Sequence, residues 1–174
     1  MKKNLLASLI AATSIFAVNN ALAADGTIDF TGEIIDKACE LAAGSDALKV
    51  NLGQVSKKAL PTAGSTAAAT KFTIKLINCP ATVTAASVKF DADSYLGDDQ
   101  VIKLKEEAGV ATGVGIQITD DTNKIVPLFT ASKTYPLKEN VENNLDFRAR
   151  YIAKSGTVTP GPANATATFT INYN

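Results

Sequence analysis

Apolar and polar residues alternate at both ends of the chain, a pattern typical of strands with one buried face. Toward the C-terminus the alternation runs from Ala165 to Tyr173. Toward the N-terminus, polar residues separate a set of small or apolar ones: Gly26, Ile28, Phe30, Gly32 and Ile34. We therefore predict strands over residues 27–35 and 165–173.

Six segments between these ends also have the pattern of short strands separated by turn residues. They are residues 48–52, 71–77, 86–90, 113–119, 125–128 and 145–153. Residues 62–70 combine Gly64 with alanine, serine and threonine, and we predict a loop there with at most a short helical turn. Many short strands without a sustained helical period predict an all-β antiparallel sandwich or barrel.

The first residues have the features of a secretory signal peptide. Lys2 and Lys3 precede an apolar run over residues 5–18, and Ala21-Leu22-Ala23 is a small-x-small cleavage site. Cleavage after Ala23 makes residues 1–23 the signal peptide and leaves 151 of the 174 residues. The apolar run is too short for a membrane-spanning helix. Two alternating strands in a small exported domain suggest that strands are exchanged between molecules.

The charge balance argues against nucleic acid as a partner. The whole chain has 17 basic and 17 acidic residues, and loss of Lys2 and Lys3 leaves a small acidic excess. Nucleic-acid binding normally requires a basic face. A net charge near zero also permits self-association, because little repulsion opposes it.

The two cysteines, Cys39 and Cys79, are too far apart for a redox pair or a zinc knuckle. In an exported chain we expect one structural disulfide between them rather than two free thiols. The sequence has no histidine, which removes the commonest general base and metal ligand. We therefore expect no catalytic residue, metal or cofactor.

Three polar segments have alternative interpretations. Residues 91–99 are rich in aspartate, but their spacing does not match a calcium loop, so we favour a solvated loop. Residues 120–123 have the composition of a turn capped by its own side chains. Arg148 and Arg150 share one face of a predicted strand, where a polar sheet face or an ion pair with a neighbouring strand is favoured over ligand binding.

Several motifs in this order and spacing resemble the major subunits of chaperone–usher fimbriae, the type 1 fimbrial group. The resemblance covers essentially the whole mature chain and is most specific at its end, where Gly161 is followed by the alternating strand and Tyr173. Its other segments are residues 26–34 leading into Cys39, residues 50–55, residues 72–79, residues 113–118 and residues 147–151.

The resemblance implies an incomplete immunoglobulin-like antiparallel sandwich that is completed by a donor strand from another subunit. Residues 24–38 would be the N-terminal donor-strand extension and residues 39–174 the pilin domain. The donor strand would present Gly26, Ile28, Phe30, Gly32 and Ile34. The acceptor edge, which a chaperone also recognises, would comprise Gly161, Ala167, Phe169, Ile171 and Tyr173.

The resemblance also implies partners and a location. A periplasmic chaperone would lend a strand to each subunit. At an outer-membrane usher, the extension of the next subunit would replace it. The product would be a fimbrium on the surface of a Gram-negative bacterium that supports adhesion.

Three other functions remain as alternatives to a shaft subunit. A minor or adaptor subunit shares the same motifs. A tip adhesin is disfavoured, because such proteins carry an additional N-terminal lectin domain. An exported enzyme is disfavoured by the absence of histidine. A type IV pilin is excluded more firmly, because no long apolar N-terminal helix would survive the signal cleavage.

Overall fold

The computed structural model describes residues 26–32, residue 34 and residues 38–173. Residues 1–25, which include the predicted signal peptide, lie outside the described residues, as do Glu33, residues 35–37 and Asn174. The chain divides into one unit that ends at Ile34 and a second that begins at Ile35. In the first unit, residues 26–32 and Ile34 lack regular secondary structure, so the strand predicted over residues 27–35 is wrong for the isolated chain.

The described part of the second unit forms nine strands and one short 3₁₀ helix. The strands are β1 (Glu40–Leu41), β2 (Thr66–Ile77), β3 (Ala85–Asp91), β4 (Ser94–Tyr95), β5 (Asp98–Ile102), β6 (Val114–Asp120), β7 (Tyr135–Pro136), β8 (Asn143–Ala153) and β9 (Thr168–Tyr173). The 3₁₀ helix is Lys57–Ala59. No described helix is long and apolar enough to cross a membrane.

The strands form two antiparallel sheets, which confirms the predicted all-β antiparallel class. One sheet has six strands in the order β1-β2-β8-β6-β5-β4. The other has three in the order β7-β3-β9, so β9 is an edge strand that pairs only with β3.

The core lies between the inner faces of the two sheets, where the predicted alternation places the apolar side chains. On β2, Ile74 and Leu76 are buried while the intervening Lys75 is exposed. At the centre, the Phe147 ring of β8 lies 5.1 Å from that of Phe90 on β3, centroid to centroid. Edge-to-face aromatic pairs of this kind add about 0.5–1.5 kcal/mol beyond their burial.

Cys39 and Cys79 form the predicted disulfide, which is thereby confirmed. The bond joins the chain just before β1 to the chain just after β2. It therefore fixes the point at which the second unit enters its larger sheet.

Three further predictions about secondary structure are wrong. Residues 48–52 and 125–128 are not strands. Residues 125–128 donate backbone hydrogen bonds to two different strands, from Val126 to Ile118 and from Leu128 to Asp99, so they cross between neighbours instead of following one. The predicted loop over residues 62–70 is strand from Thr66 onward, because β8 supplies a partner for its low-propensity alanines.

Candidate functional site

An apolar groove of about 630 Å³ opens between the two sheets. Residues 41–52 form one border and residues 165–169 the other. The floor combines side chains of both sheets, among them Phe72, Phe90, Ile116 and Ile118. A groove with an aliphatic and aromatic floor favours an occupant that inserts apolar side chains.

A second groove, of about 430 Å³, continues the first. Its borders are residues 53–60 and 158–164, which adjoin the borders of the first groove on both sides. Leu60, Val114 and Tyr151 lie along it. The two grooves therefore form one long cleft, which we call the acceptor cleft.

Both borders of the acceptor cleft have unpaired backbone edges. On one side, β9 bonds only to β3 and leaves its other edge open. On the other side, residues 46–55 make no backbone-to-backbone hydrogen bond with any described residue. Unpaired backbone groups of this kind form a template for an added strand.

The C-terminal strand presents its apolar residues to the inside, as the alternation predicts. Phe169, Ile171 and Tyr173 are half-buried against the core, while Thr168 and Thr170 are exposed. Of the predicted acceptor residues, Ala167 and Phe169 line the first groove. Ile171 and Tyr173 pack against the core beyond its lining.

Tyr173 links the end of β9 to the segment that precedes β1. Its hydroxyl donates a 3.2 Å hydrogen bond to the backbone carbonyl of Cys39. Burial raises the pKa of the Tyr173 hydroxyl above its ordinary value, so the group stays a neutral donor. The strand end is thus tied to the disulfide-bonded segment just before β1.

Gly161 lies in the second groove, where the backbone leaves no room for a side chain. A Cβ atom there would meet only main-chain atoms, at 2.1 Å from the Gly109 oxygen and 2.7 Å from the Ala111 nitrogen. Beside it, the Ala111 N–H donates a 2.9 Å hydrogen bond to the Pro162 carbonyl. The glycine therefore permits a close approach of two backbone segments.

The large apolar side chains among the described residues of the N-terminal unit are fully or largely exposed. Ile28 is 79%, Phe30 91% and Ile34 100% accessible to solvent. Added Cβ atoms at Gly26 and Gly32 would meet nothing within 4 Å. The predicted donor residues are therefore open to solvent.

The remaining polar segments form turns and a polar sheet face. Asp120 caps the predicted turn, because its Oδ1 accepts hydrogen bonds from the backbone of Thr122 and Lys124, and this prediction is confirmed. Arg150 donates two hydrogen bonds to the amide oxygen of Gln117 on β6, which supports the polar-face interpretation. The acidic stretch 91–99 includes β4 and the start of β5 rather than a continuous loop. No metal-binding cluster of three or more acidic, cysteine or histidine residues occurs among the described residues.

The border at residues 46–55 is the part of the site that sequence reasoning missed. Residues 48–52 alternate like a strand, and Val50 and Leu52 line the first groove. The sequence signal for this border is the alternation over residues 48–52, a segment that has no partner strand among the described residues. Such a segment fits one side of an incomplete sheet.

The fimbrial protein family model matches residues 28–174 of the chain. Long polar fimbria protein A of Salmonella typhimurium is 38% identical over 170 residues, which cover 97% of this chain and 93% of the relative. Among solved structures, the P pilus rod subunit PapA matches with a TM-score of 0.67 and 24% identity, covering 79% of this chain and 100% of that chain. The CupB6 tip adhesin of Pseudomonas aeruginosa matches with a TM-score of 0.60 and 26% identity, covering 79% of this chain but 38% of the adhesin.

These likenesses confirm the incomplete immunoglobulin-like sandwich. The matched proteins are structural components of fimbriae and pili, not enzymes. The chain therefore belongs to the fimbrial protein family.

Proposed function

We propose that this chain is a structural shaft subunit of a surface fimbrium and polymerises by donor-strand exchange. In this proposal, residues 24–38 of one copy occupy the acceptor cleft of another, and the domain of residues 39–174 receives them. The single observation that carries the proposal is the acceptor cleft, which has an apolar floor and an open backbone edge on each side.

The predicted donor residues fit such a cleft in both pattern and energy. Ile28, Phe30 and Ile34 are exposed in the isolated chain, and burial of each would contribute roughly 1.5–3 kcal/mol. Backbone bonds to both borders would add to this, whereas the loss of rotational and translational freedom would oppose it. Gly32 would suit a shallow part of the floor, because it has no side chain to insert.

The contact proposed is heterologous, since one surface gives the strand and a different surface receives it. Repetition of a heterologous contact that does not close generates an open helical filament. Such a filament requires no catalytic group, metal or cofactor.

An unfilled cleft would also expose apolar surface and a free edge, which is an aggregation hazard. We therefore propose that a periplasmic chaperone fills the cleft with a strand of its own before assembly. An outer-membrane usher would then exchange that strand for the extension of the next subunit. Gly161, Ala167, Phe169, Ile171 and Tyr173 are the proposed chaperone-recognition and acceptor residues.

Substitution in the donor strand tests this function directly. The double variant Ile28→Asp/Phe30→Asp should fold and bind chaperone but should not polymerise, because two carboxylates cannot enter an apolar groove. The matched control Thr27→Asp/Thr31→Asp adds the same charge on the alternate face and should polymerise. Electron microscopy and the SDS-resistant ladder of unboiled samples give the readout. Normal fibres from the first variant would overturn the donor assignment.

A minor, adaptor or tip subunit is the second candidate function, because the matched structures include a tip adhesin. The tip adhesin is matched over 38% of its length and the rod subunit PapA over its whole length, which supports a rod-type subunit over a tip adhesin. The P pilus adaptor subunit PapF is also matched over 97% of its length, which keeps the adaptor role as the second candidate. Electron microscopy of a deletion strain separates the two. Loss of the entire shaft supports the shaft subunit, and rare or shortened fibres support a minor one.

A further inference from the structure

Charged residues along the acceptor cleft lie on one border only. Residues 46–58 of that border contain Asp46, Lys49, Lys57 and Lys58, a net positive set. The opposite border, residues 158–169, contains no charged residue. Beside that border, Asn164 Nδ2 donates a 3.0 Å hydrogen bond to the Glu107 carboxylate. An incoming strand would therefore meet a cationic side and a side whose own residues are uncharged but which adjoins one carboxylate.

The lysines on this border differ from most others in the domain because no described carboxylate neutralises them. Six lysines of the described domain lie within 4.0 Å of an aspartate or glutamate oxygen: Lys71, Lys75, Lys89, Lys103, Lys133 and Lys154. Lys49, Lys57 and Lys58 are exposed and form no such pair with a described residue.

Two of these lysines are held at the cleft by a short fixed element. Lys57 and Lys58 begin the 3₁₀ helix, and the Ser56 side chain accepts a hydrogen bond from the backbone of Lys58. The helix is followed by Leu60, which is 5% exposed and lies in the second groove. Lys57 itself lines that groove. The 3₁₀ helix therefore places the Lys57 side chain at the second groove and the backbone of Lys58 directly beside it.

The predicted donor strand has the opposite charge on the face that would remain outside. Residues 24–38 contain four acidic residues and one lysine. Successive side chains of a strand point to opposite faces. If Ile28, Phe30 and Ile34 point into the cleft, the intervening acidic residues therefore face away from its floor. These acidic residues are Asp29 and Glu33. The acidic face would then lie beside the rim of the cleft.

We propose that Lys49, Lys57 and Lys58 form a cationic rim that recruits the acidic outer face of another copy's N-terminal strand. This inference rests on the proposed donor-strand function and adds a specificity determinant to it. Complementary charge raises the rate of encounter and disfavours strands of the wrong charge more than it adds affinity. Salt weakens the effect, because the screening length is about 10 Å at 0.1 M.

The test uses the full mature chain with its own extension disabled by Ile28→Asp/Phe30→Asp. A fluorescent peptide of residues 24–38 is the probe, and stopped-flow anisotropy follows its association. Adding Lys57→Gln/Lys58→Gln should slow association about 5- to 10-fold at 20 mM salt and leave dissociation nearly unchanged. The difference should vanish at 1 M salt. The matched control, Lys124→Gln/Lys138→Gln, removes two exposed lysines elsewhere and should change neither rate.

A charge swap completes the design. Lys57→Glu/Lys58→Glu should slow the native peptide further, and a peptide with Asp29→Lys/Glu33→Lys should recover the rate. Equal association rates and equal salt slopes for the native and rim variants would overturn the cationic rim while leaving strand exchange intact. Failure of the native peptide to bind at any salt concentration would instead overturn the proposed function.

Discussion

Replacing Gly161 with alanine should destabilise the domain through a clash between two backbone segments. The added methyl group would lie 2.1 Å from the Gly109 oxygen and 2.7 Å from the Ala111 nitrogen. Neither atom belongs to a flexible side chain that could rotate away. The loop over residues 109–111 and the chain at Gly161 must therefore move apart.

The magnitude follows from the hydrogen bonds that join these segments. The Ala111 N–H donates a 2.9 Å hydrogen bond to the Pro162 carbonyl. Thr112 and Thr159 are joined by two more: the Thr112 N–H donates to Thr159 Oγ1 at 2.9 Å, and the Thr159 N–H donates to the Thr112 carbonyl at 3.2 Å. Each such bond contributes about 0.5–1.5 kcal/mol net. Overpacking on its own typically costs about 1–3 kcal/mol. We expect the free energy of unfolding to fall by about 2–4 kcal/mol.

Urea unfolding of the oxidised monomer, followed by far-UV circular dichroism, measures this loss. Gly156→Ala is the matched control, because a Cβ atom at Gly156 would meet nothing within 4 Å. It should change the free energy of unfolding by less than about 0.5 kcal/mol. If both variants unfold at the same urea concentration, the steric account of Gly161 is wrong, and its role would have to lie in recognition by a partner.

Two further predictions concern the disulfide and acid stability. The variant Cys39→Ser/Cys79→Ser opens a loop whose ends are 40 residues apart in sequence. In the chain-entropy model, the free energy of unfolding then falls by about 4 kcal/mol. A variant as stable as the native protein in urea would contradict that account. Hydrogen bonding to Lys154 lowers the pKa of the Asp98 carboxyl. Burial acts to raise the pKa of Asp120, but hydrogen bonds to its carboxylate together outweigh burial and lower the pKa. Because both folded pKa values lie below the unfolded value of about 3.9, their stabilisation is complete above that pH and is lost as the pH falls through the folded values. Urea unfolding at pH 7, 4.5 and 2.5 checks this, and undiminished stability at pH 2.5 would refute it.

The sequence was sufficient for strands that have partners within the chain. The alternating segments 71–77, 86–90, 113–119 and 145–153 fall within or largely overlap β2, β3, β6 and β8, because their apolar faces meet across one core. Short strands such as β1, β4 and β7 escaped prediction. Each has two residues, too few to show a period, and tertiary contacts alone define them.

Two strand predictions fail in the isolated chain for one physical reason. Residues 27–35 and 48–52 both alternate, yet neither forms a strand among the described residues. A strand exists only with a hydrogen-bonding neighbour, and neither segment has one in the part of the chain that the structure describes. Donor-strand exchange would supply that neighbour to both at once.

The cleft itself could be predicted only in part. The family resemblance implied Phe169 as an acceptor-edge residue, and its side chain lines the first groove. The floor residues Ile116 and Ile118 were recognised as one face of a strand, but nothing local shows that this face is left uncovered. That property depends on how the two sheets diverge.

The most direct test of the central claim asks whether the extension of one copy lies in the cleft of another. A photo-crosslinking amino acid would replace Thr31. Unlabelled and ¹⁵N-labelled subunits that carry it would then be mixed and assembled together. We predict crosslinks from this position to residues 46–60 or 158–169. Labelled and unlabelled peptides should be joined to each other as often as random mixing of the subunits dictates. Crosslinks that join only peptides of the same isotope composition would show that each extension stays on its own chain and would contradict donor-strand exchange.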